Sequence, residues 1–220
     1  MKRVLTLLSA LMLCLGLTTC AYAEEPEPDY LALMKEAAVN GDREAGLAAE
    51  ETRNAMIDES GSDEIKISFD ELFLLSKLIY SEAGSDWLSD ELRFCVGEVV
   101  MNRVASSEFP NSIEEVIYQE GQYDKVCTEE FRFYTLPSAS CVDAAARLLL
   151  GERMMEPQVV FQSNSRIGEV YSIYCDRRLG YTYFCESPNG ELYNEEEAPQ
   201  EEPAQAVPLS AEARLEDAVK

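Results

Sequence analysis

Histidine is absent from all 220 residues, and that omission removes several chemistries at once. Ser-His-Asp and Cys-His nucleophile systems lose their base, and catalytic zinc sites lose their preferred nitrogen ligands. Acid-base work falls to carboxylate, tyrosine or lysine side chains. Positive charge is also scarce: 18 Lys and Arg stand against 42 Asp and Glu, a formal net charge of −24. Phosphate backbones repel such a chain, because nucleic-acid affinity rests on Lys and Arg neutralising phosphates, so no nucleic-acid partner is expected. The bland reading of the acid is a solvated surface with disordered tails. No CxxC spacing occurs, which leaves a metal cluster without support; neither metal nor cofactor is expected. Beyond the amino terminus, no apolar run approaches the roughly 18 residues that a membrane span needs.

What is present begins with MKRVLTLLSALMLCLGLTTCAYA. Lys2 and Arg3, an apolar run from Val4 to Leu17, and the small-x-small ending Ala21-Tyr22-Ala23 read as a secretory signal peptide, residues 1–23, cleaved before Glu24. The mature protein is then expected to be soluble and extracytoplasmic. Leu17-Thr18-Thr19-Cys20 resembles a lipobox apart from Thr19, so lipid attachment at Cys20 is the alternative. Cys14 and Cys20 fall within that segment, and Cys95, Cys127, Cys141, Cys175 and Cys185 remain. Export permits disulfides. Cys175 and Cys185 flank an expected hairpin and are the first candidates for a pair, with Cys127 and Cys141 second; Cys95 falls on an apolar helix face and reads as a small buried hydrophobe.

Four segments follow from composition and periodicity: the signal peptide, an acidic helical segment with linker (24–65), a compact region (66–187) and an acidic tail (188–220) too poor in apolar residues to build a core. In the second, a helical pattern from Tyr30 to Ile57, interrupted at Gly41, has a thin apolar face and is expected to pack weakly. The compact region opens with Ser68-Phe69-Asp70-Glu71, a capping box. A helix should run from Phe69 to about Ser81, with Leu72, Leu75, Leu78 and Ile79 buried and Gly84 as its stop. Further helices fit Asp90 to Val104, Ser112 to Tyr118, and Val142 to Leu150 with a cap near Ser140. The period then changes. Residues 159–162, 170–175 and 181–185 are β-branched and aromatic, with 176–180 as a turn, and read as a small antiparallel sheet. Helices followed by strands predict an α+β domain.

LIYSEAG, residues 78–84, delivers Glu82 to the end of the first of these helices. There the negative end of the helix dipole and the neighbours Tyr80, Ala83 and Trp87 favour a carboxyl that keeps its proton, the form that protonates a glycosidic oxygen. The plain alternative is an ordinary surface residue at a helix end.

Three runs in order, LLSKLIYSEAG, VGEVVMNRV and FPNSIEEVIYQEGQY, resemble the spore cortex-lytic cell wall hydrolases of the SleB/CwlJ type. Residues 69–127 carry most of the likeness; Val160-Phe161-Gln162 and the run Leu179 to Phe184 resemble the two closing strands. The resemblance implies a lysozyme-like helical lobe followed by a small sheet, acting on the glycan strands of peptidoglycan. Glu82 falls at the position of the catalytic acid, in a mechanism similar to that of lytic transglycosylases or muramidases. A hydrolase normally needs a second carboxylate, for which Asp86, Glu91 and Glu98 are candidates; the bland reading of Glu98 is an exposed helix position. Gln122 and Tyr123 stand where the family shows Gln-Phe and are expected to line the glycan groove, with Tyr80 and Tyr118 as supports. Asn102 and Arg103 match the helix-end signature, for which a capping role is the simpler reading. Asp124 and the closing run GYTYFCES, which lacks the family's His, depart from the pattern. They motivate the alternative of a non-catalytic envelope or spore-coat protein that binds glycan or a partner through the same fold.

Overall fold

The computed structural model describes residues 28–193; the expected signal peptide and the tail beyond residue 193 lie outside the described residues. Helix starts are set by short polar side chains. Asp29 accepts from the Ala32 N–H at 3.0 Å and Asp42 from the Ala45 N–H at 3.1 Å, which satisfies otherwise orphaned donors at the first turns of α1 (Tyr30–Asn40) and α2 (Arg43–Ser60). Between them Gly41 adopts φ 70°, a left-handed conformation that glycine takes without strain. The hairpin packs more closely than its thin apolar face implied. Met34, Ala37 and Ala38 are buried against α3 (Phe69–Ala83) and α6 (Ala139–Leu149). A Cβ on Gly46 would lie 2.2 Å from the Phe69 ring, so small residues achieve by close approach what large ones would achieve by area.

α3 runs two residues beyond the expected end, so that Glu82 sits inside its last turn. α4 (Asp90–Ala105) begins at the cap Ser89, and α5 (Ile113–Ile117) opens with the reciprocal pair Ser112 and Glu115. The cap of α6 is Ser138 rather than Ser140, because its hydroxyl meets the Cys141 N–H three residues on. Two short turns that no periodicity announced, a 3-10 turn at Asp124–Cys127 and a π turn at Glu130–Tyr134, carry the chain alongside α3; buried Lys77 of α3 donates to the Arg132 carbonyl at 3.1 Å and lies over the Phe131 ring.

Strands β1 (Val159–Ser163), β2 (Val170–Asp176) and β3 (Gly180–Glu186) form an antiparallel sheet in the order β1-β3-β2, completing an α+β fold. The register overturns the expected disulfide. Cys175 faces Tyr181, whereas Cys185 faces Val170. Four residues of strand separate the two positions on β3, roughly 13 Å at about 3.3 Å per residue, far beyond disulfide reach. All five cysteines of the described residues are free, with Cys141 buried and Cys127 exposed.

α4 is the central helix. It touches α3, α5, α6 and β1 and is buried nearly all round, which only a helix enclosed by others can be. Gly97 lets it close on α6 and α3, where a Cβ would meet Leu148 at 2.6 Å and Ile79 at 2.7 Å. Its polar residues Arg93, Glu98, Asn102 and Arg103 are buried too, contrary to the exposed position expected for Glu98, which is 0% exposed. Glu98 Oε1 accepts from the N–H groups of Met154 (2.7 Å) and Met155 (2.9 Å). Asn102 Nδ2 donates to the carbonyls of Glu156 (3.0 Å) and Val159 (3.1 Å), and Arg103 Nε to that of Val160 (2.7 Å). The capping role expected for Asn102 and Arg103 is thus replaced by one in tertiary structure: together with Glu98 they fasten the segment that leads into the sheet.

Burial pushes the Glu98 carboxyl above its ordinary value, against the opposing pull of the Met155 and Met154 donors. A raised folded-state value means that the stabilisation is complete at low pH and is lost as pH rises from the ordinary carboxylate range through the raised value. Urea unfolding of the wild type and of Glu98→Gln at several pH values tests this. The stability difference between them should move in favour of the variant as pH rises; a pH-independent difference would refute the account.

Candidate active site

The last turn of α3 is built to end abruptly at Glu82. Gly84 follows at φ −76°, and a Cβ there would lie 2.2 Å from the Tyr80 carbonyl oxygen and 2.6 Å from the Tyr80 ring. Glycine is therefore needed for close approach rather than for a left-handed turn. Lys125 of the 3-10 turn reaches across and donates to the Ser81 carbonyl at 2.7 Å, satisfying one of the orphan acceptors at this helix end. Glu82 is half-buried, and the Ser81 hydroxyl lies 3.5 Å from its Oε1.

An open groove of about 380 Å³ surrounds this turn. One wall is α3 itself, with Tyr80, Ser81 and Glu82; Lys125 stands beside it. The loop after α3 gives Trp87 and Leu88, and the turn between β2 and β3 gives Arg178 and Leu179. Two contacts hold the far wall. The Arg178 guanidinium lies 4.8 Å from the Trp87 ring centroid, a cation–π contact worth about 0.5–1 kcal/mol at an exposed site. Arg93 of α4, itself buried, donates to the Ser85 carbonyl at 2.8 Å and to Asp90 at 2.7 Å, pinning the loop to the central helix. Among the described residues that line this groove, Glu82 is the sole carboxylic acid. Two hollows of about 390 and 340 Å³ lie at the α1–α2 hairpin; of their acids, Asp29 and Asp42 cap helices, Glu64 pairs with Arg53, and Glu36 is exposed to solvent.

The expected site residues separate. Tyr80, 38% exposed, lines the groove beside Glu82. Tyr123 is only 7% exposed, so its ring is not open to a sugar face. It lies behind the groove, its ring 5.7 Å from the Arg103 guanidinium and its hydroxyl buried without a partner. Burial pushes the Tyr123 phenol up, with Arg103 opposing and the nearby Glu82 adding to the effect. Gln122 is exposed and lies outside the lining residues. Tyr118 is outside them as well; burial pushes its phenol up, and the Arg132 charge pulls it back. Of the candidate second carboxylates, Glu98 is committed to the Met154 and Met155 amides, Glu91 sits in the first turn of α4, and Asp86 is exposed on the loop. Lys125 and Arg178 were not singled out from sequence. Arg178 was hidden in what read as a plain hairpin turn, and Lys125 in a segment without periodicity.

Among the described residues, no helix is long and apolar enough to cross a membrane, and no group of three or more Cys, Asp or Glu is placed to hold a metal ion. The fold and the groove thus define an α+β protein with a single acid in an open, polar cleft. Residues 89–185 match the family model described as Cell Wall Hydrolase, and the runs VGEVVMNRV and FPNSIEEVIYQEGQY fall within that match. The match takes in the polar residues of α4, Lys125 and Arg178, and it begins just past Glu82 and Trp87. No curated protein and no solved structure matches the chain.

Trp87 is the single tryptophan of the chain, 53% exposed, so its fluorescence reports on the far wall. Arg178→Ala should shift its emission to longer wavelength and raise acrylamide quenching while the thermal midpoint falls by no more than about 4 °C. Identical spectra would mean that the stacked contact does not persist in solution.

Proposed function

We propose that the protein cleaves the glycan strands of peptidoglycan outside the cytoplasm, with Glu82 as general acid and then general base. The observation that carries this reading is the solitude of Glu82 in its groove. Hydrolysis with retention or inversion normally uses two carboxyl groups roughly 5 to 9.5 Å apart, whereas a lytic transglycosylase-like reaction needs one. In that reaction the Glu82 proton passes to the glycosidic oxygen as the C1–O bond breaks, its electron pair leaving with that oxygen. The resulting carboxylate then takes the proton of the same sugar's C6 hydroxyl, whose oxygen bonds to C1 and closes a 1,6-anhydro ring. No water is consumed, and Glu82 ends as it began, protonated. Tyr80 and Trp87 flank the carboxyl on opposite walls, where aromatic faces suit the apolar faces of sugar rings. The match to the cell wall hydrolase family model supports the class of target, and the likeness around LIYSEAG supports Glu82 as the acid.

Purified sacculi test the proposal. Glu82→Gln keeps the side-chain shape and removes the proton, so muropeptide release should fall by about a hundred- to ten-thousandfold, given what positioned acid–base catalysis contributes, with the circular dichroism spectrum unchanged. Mass spectrometry of the wild-type products should show 1,6-anhydro ends; reducing ends would favour a muramidase with a second carboxylate such as Asp86. Unchanged turnover by the variant would refute the role of Glu82, and glycan binding without turnover by the wild type would favour the non-catalytic alternative.

A further inference from the structure

The groove inverts the sign of the molecule around it. The chain carries 42 acidic against 18 basic residues, yet the lining of the Glu82 groove holds two cations, Lys125 and Arg178, and one acid. Neither cation is spent on that acid. Lys125 gives a hydrogen to the Ser81 carbonyl at 2.7 Å, an ammonium group with three donors using one of them. Arg178 lies on the Trp87 ring, and its nearest acid, Asp176, is engaged by the backbone N–H groups of Arg178 (2.7 Å) and Leu179 (3.0 Å). Asp86 and Asp124, the acids closest in sequence to the walls, are exposed and do not line the groove.

Resting on the reading of Glu82 as the acid, we propose that Lys125 and Arg178 are specificity-determining residues that select a carboxylate-bearing glycan, with the substrate's carboxylate held beside the scissile bond. A general acid carries its proton when it acts, so a productive groove presents two positive charges and no negative one. A neutral strand brings no counter-charge to the two cations, whereas a carboxylate on the sugar does. Two sources share that chemistry: the lactyl carboxylate of a muramic acid residue that bears no peptide, and the carboxylates of a stem peptide. The surrounding negative field adds selectivity, because an anionic strand is repelled everywhere except at this groove.

Binding separates the possibilities without depending on turnover. Soluble glycan fragments are prepared with stems intact, with stems removed by an amidase so that lactyl carboxylates are free, and with all carboxylates converted to neutral amides. Calorimetry with the full chain carrying Glu82→Gln should show weaker binding to the amidated fragments. Arg178→Gln and Lys125→Met, added singly, should each weaken binding to the acidic fragments more than to the amidated ones, the excess reaching up to roughly fivefold, the ceiling for one exposed ion pair. Stronger binding of the stem-free fragments assigns the contact to the lactyl carboxylate, and of the stem-bearing ones to the peptide; either supports the proposal. Equal binding of acidic and amidated fragments, or equal losses on both in the variants, would overturn it. If the wild type also fails to release muropeptides, the catalytic reading falls separately, and the charge preference is still read from the binding constants.

Discussion

Three polar side chains on one side of a buried helix hold the molecule in register. Glu98, Asn102 and Arg103 of α4 meet the backbone of residues 154–160, two N–H groups and three carbonyls in all. That segment has no strand partner until β1 begins, and a backbone crossing a buried surface must have its polar groups paired. The helix side chains supply what a neighbouring strand would. The consequence reaches the groove: the seat of β1 fixes β3, β3 fixes the turn between β2 and β3, and that turn carries Arg178 and Leu179 over Glu82.

Burying these groups is costly, and each is compensated differently. The Glu98 carboxyl gathers two N–H donors on one oxygen, leaves Oε2 buried without a partner, and is pushed toward its protonated form. Arg103 pairs with no carboxylate among the described residues. Its guanidinium lies among the rings of Phe109, Tyr123 and Phe161, at 5.0, 5.7 and 5.7 Å from their centroids, so aromatic faces stand in for an anion. This nest joins the central helix, β1 and the segment after α5 in one cluster. Tyr123 is its most buried ring, and it lies within electrostatic reach of Glu82. The family pattern places a ring at this position; the structure gives that ring a packing role behind the acid instead of a place in the groove.

The sequence was legible where a local rule sufficed. Ser68, Ser89 and Ser112 marked helix starts correctly, the apolar spacing of α3 and α4 located their buried sides, and the change of period located all three strands with the turn between the last two. A local rule does not suffice where a residue's meaning lies in a distant partner. Glu98, Asn102 and Arg103 are 51 or more positions from the segment they bind, taking Arg103 and Met154 as the nearest pair, and a helical wheel counts them as polar and outward. The one available signal was that Glu98 and Asn102 share a helix face at i,i+4 within an otherwise apolar stretch. Cys175 and Cys185 misled for a related reason: flanking a hairpin turn in sequence is not facing each other across it, which depends on register. The groove cations are another such case, since Lys125 belongs to a 3-10 turn and Arg178 to a hairpin, elements that meet only once the sheet is seated.

The end of α3 shows why helix termination and groove charge are a single problem here. A helix that presents a carboxyl at its last turn also presents unpaired carbonyls there, which carry partial negative charge. Ending the helix with a bulky residue would displace Tyr80, because the space a Cβ at position 84 would need is occupied by the Tyr80 carbonyl and ring. Gly84 resolves the sterics and leaves the electrostatics. Lys125 resolves those by donating to the Ser81 carbonyl, which places an ammonium group against the same turn that carries Glu82. The cation that secures the helix end is therefore also a cation that lines the groove. Removing it would loosen the turn and change the charge the substrate meets, whereas Arg178, anchored on Trp87 across the groove, can be changed without touching the turn.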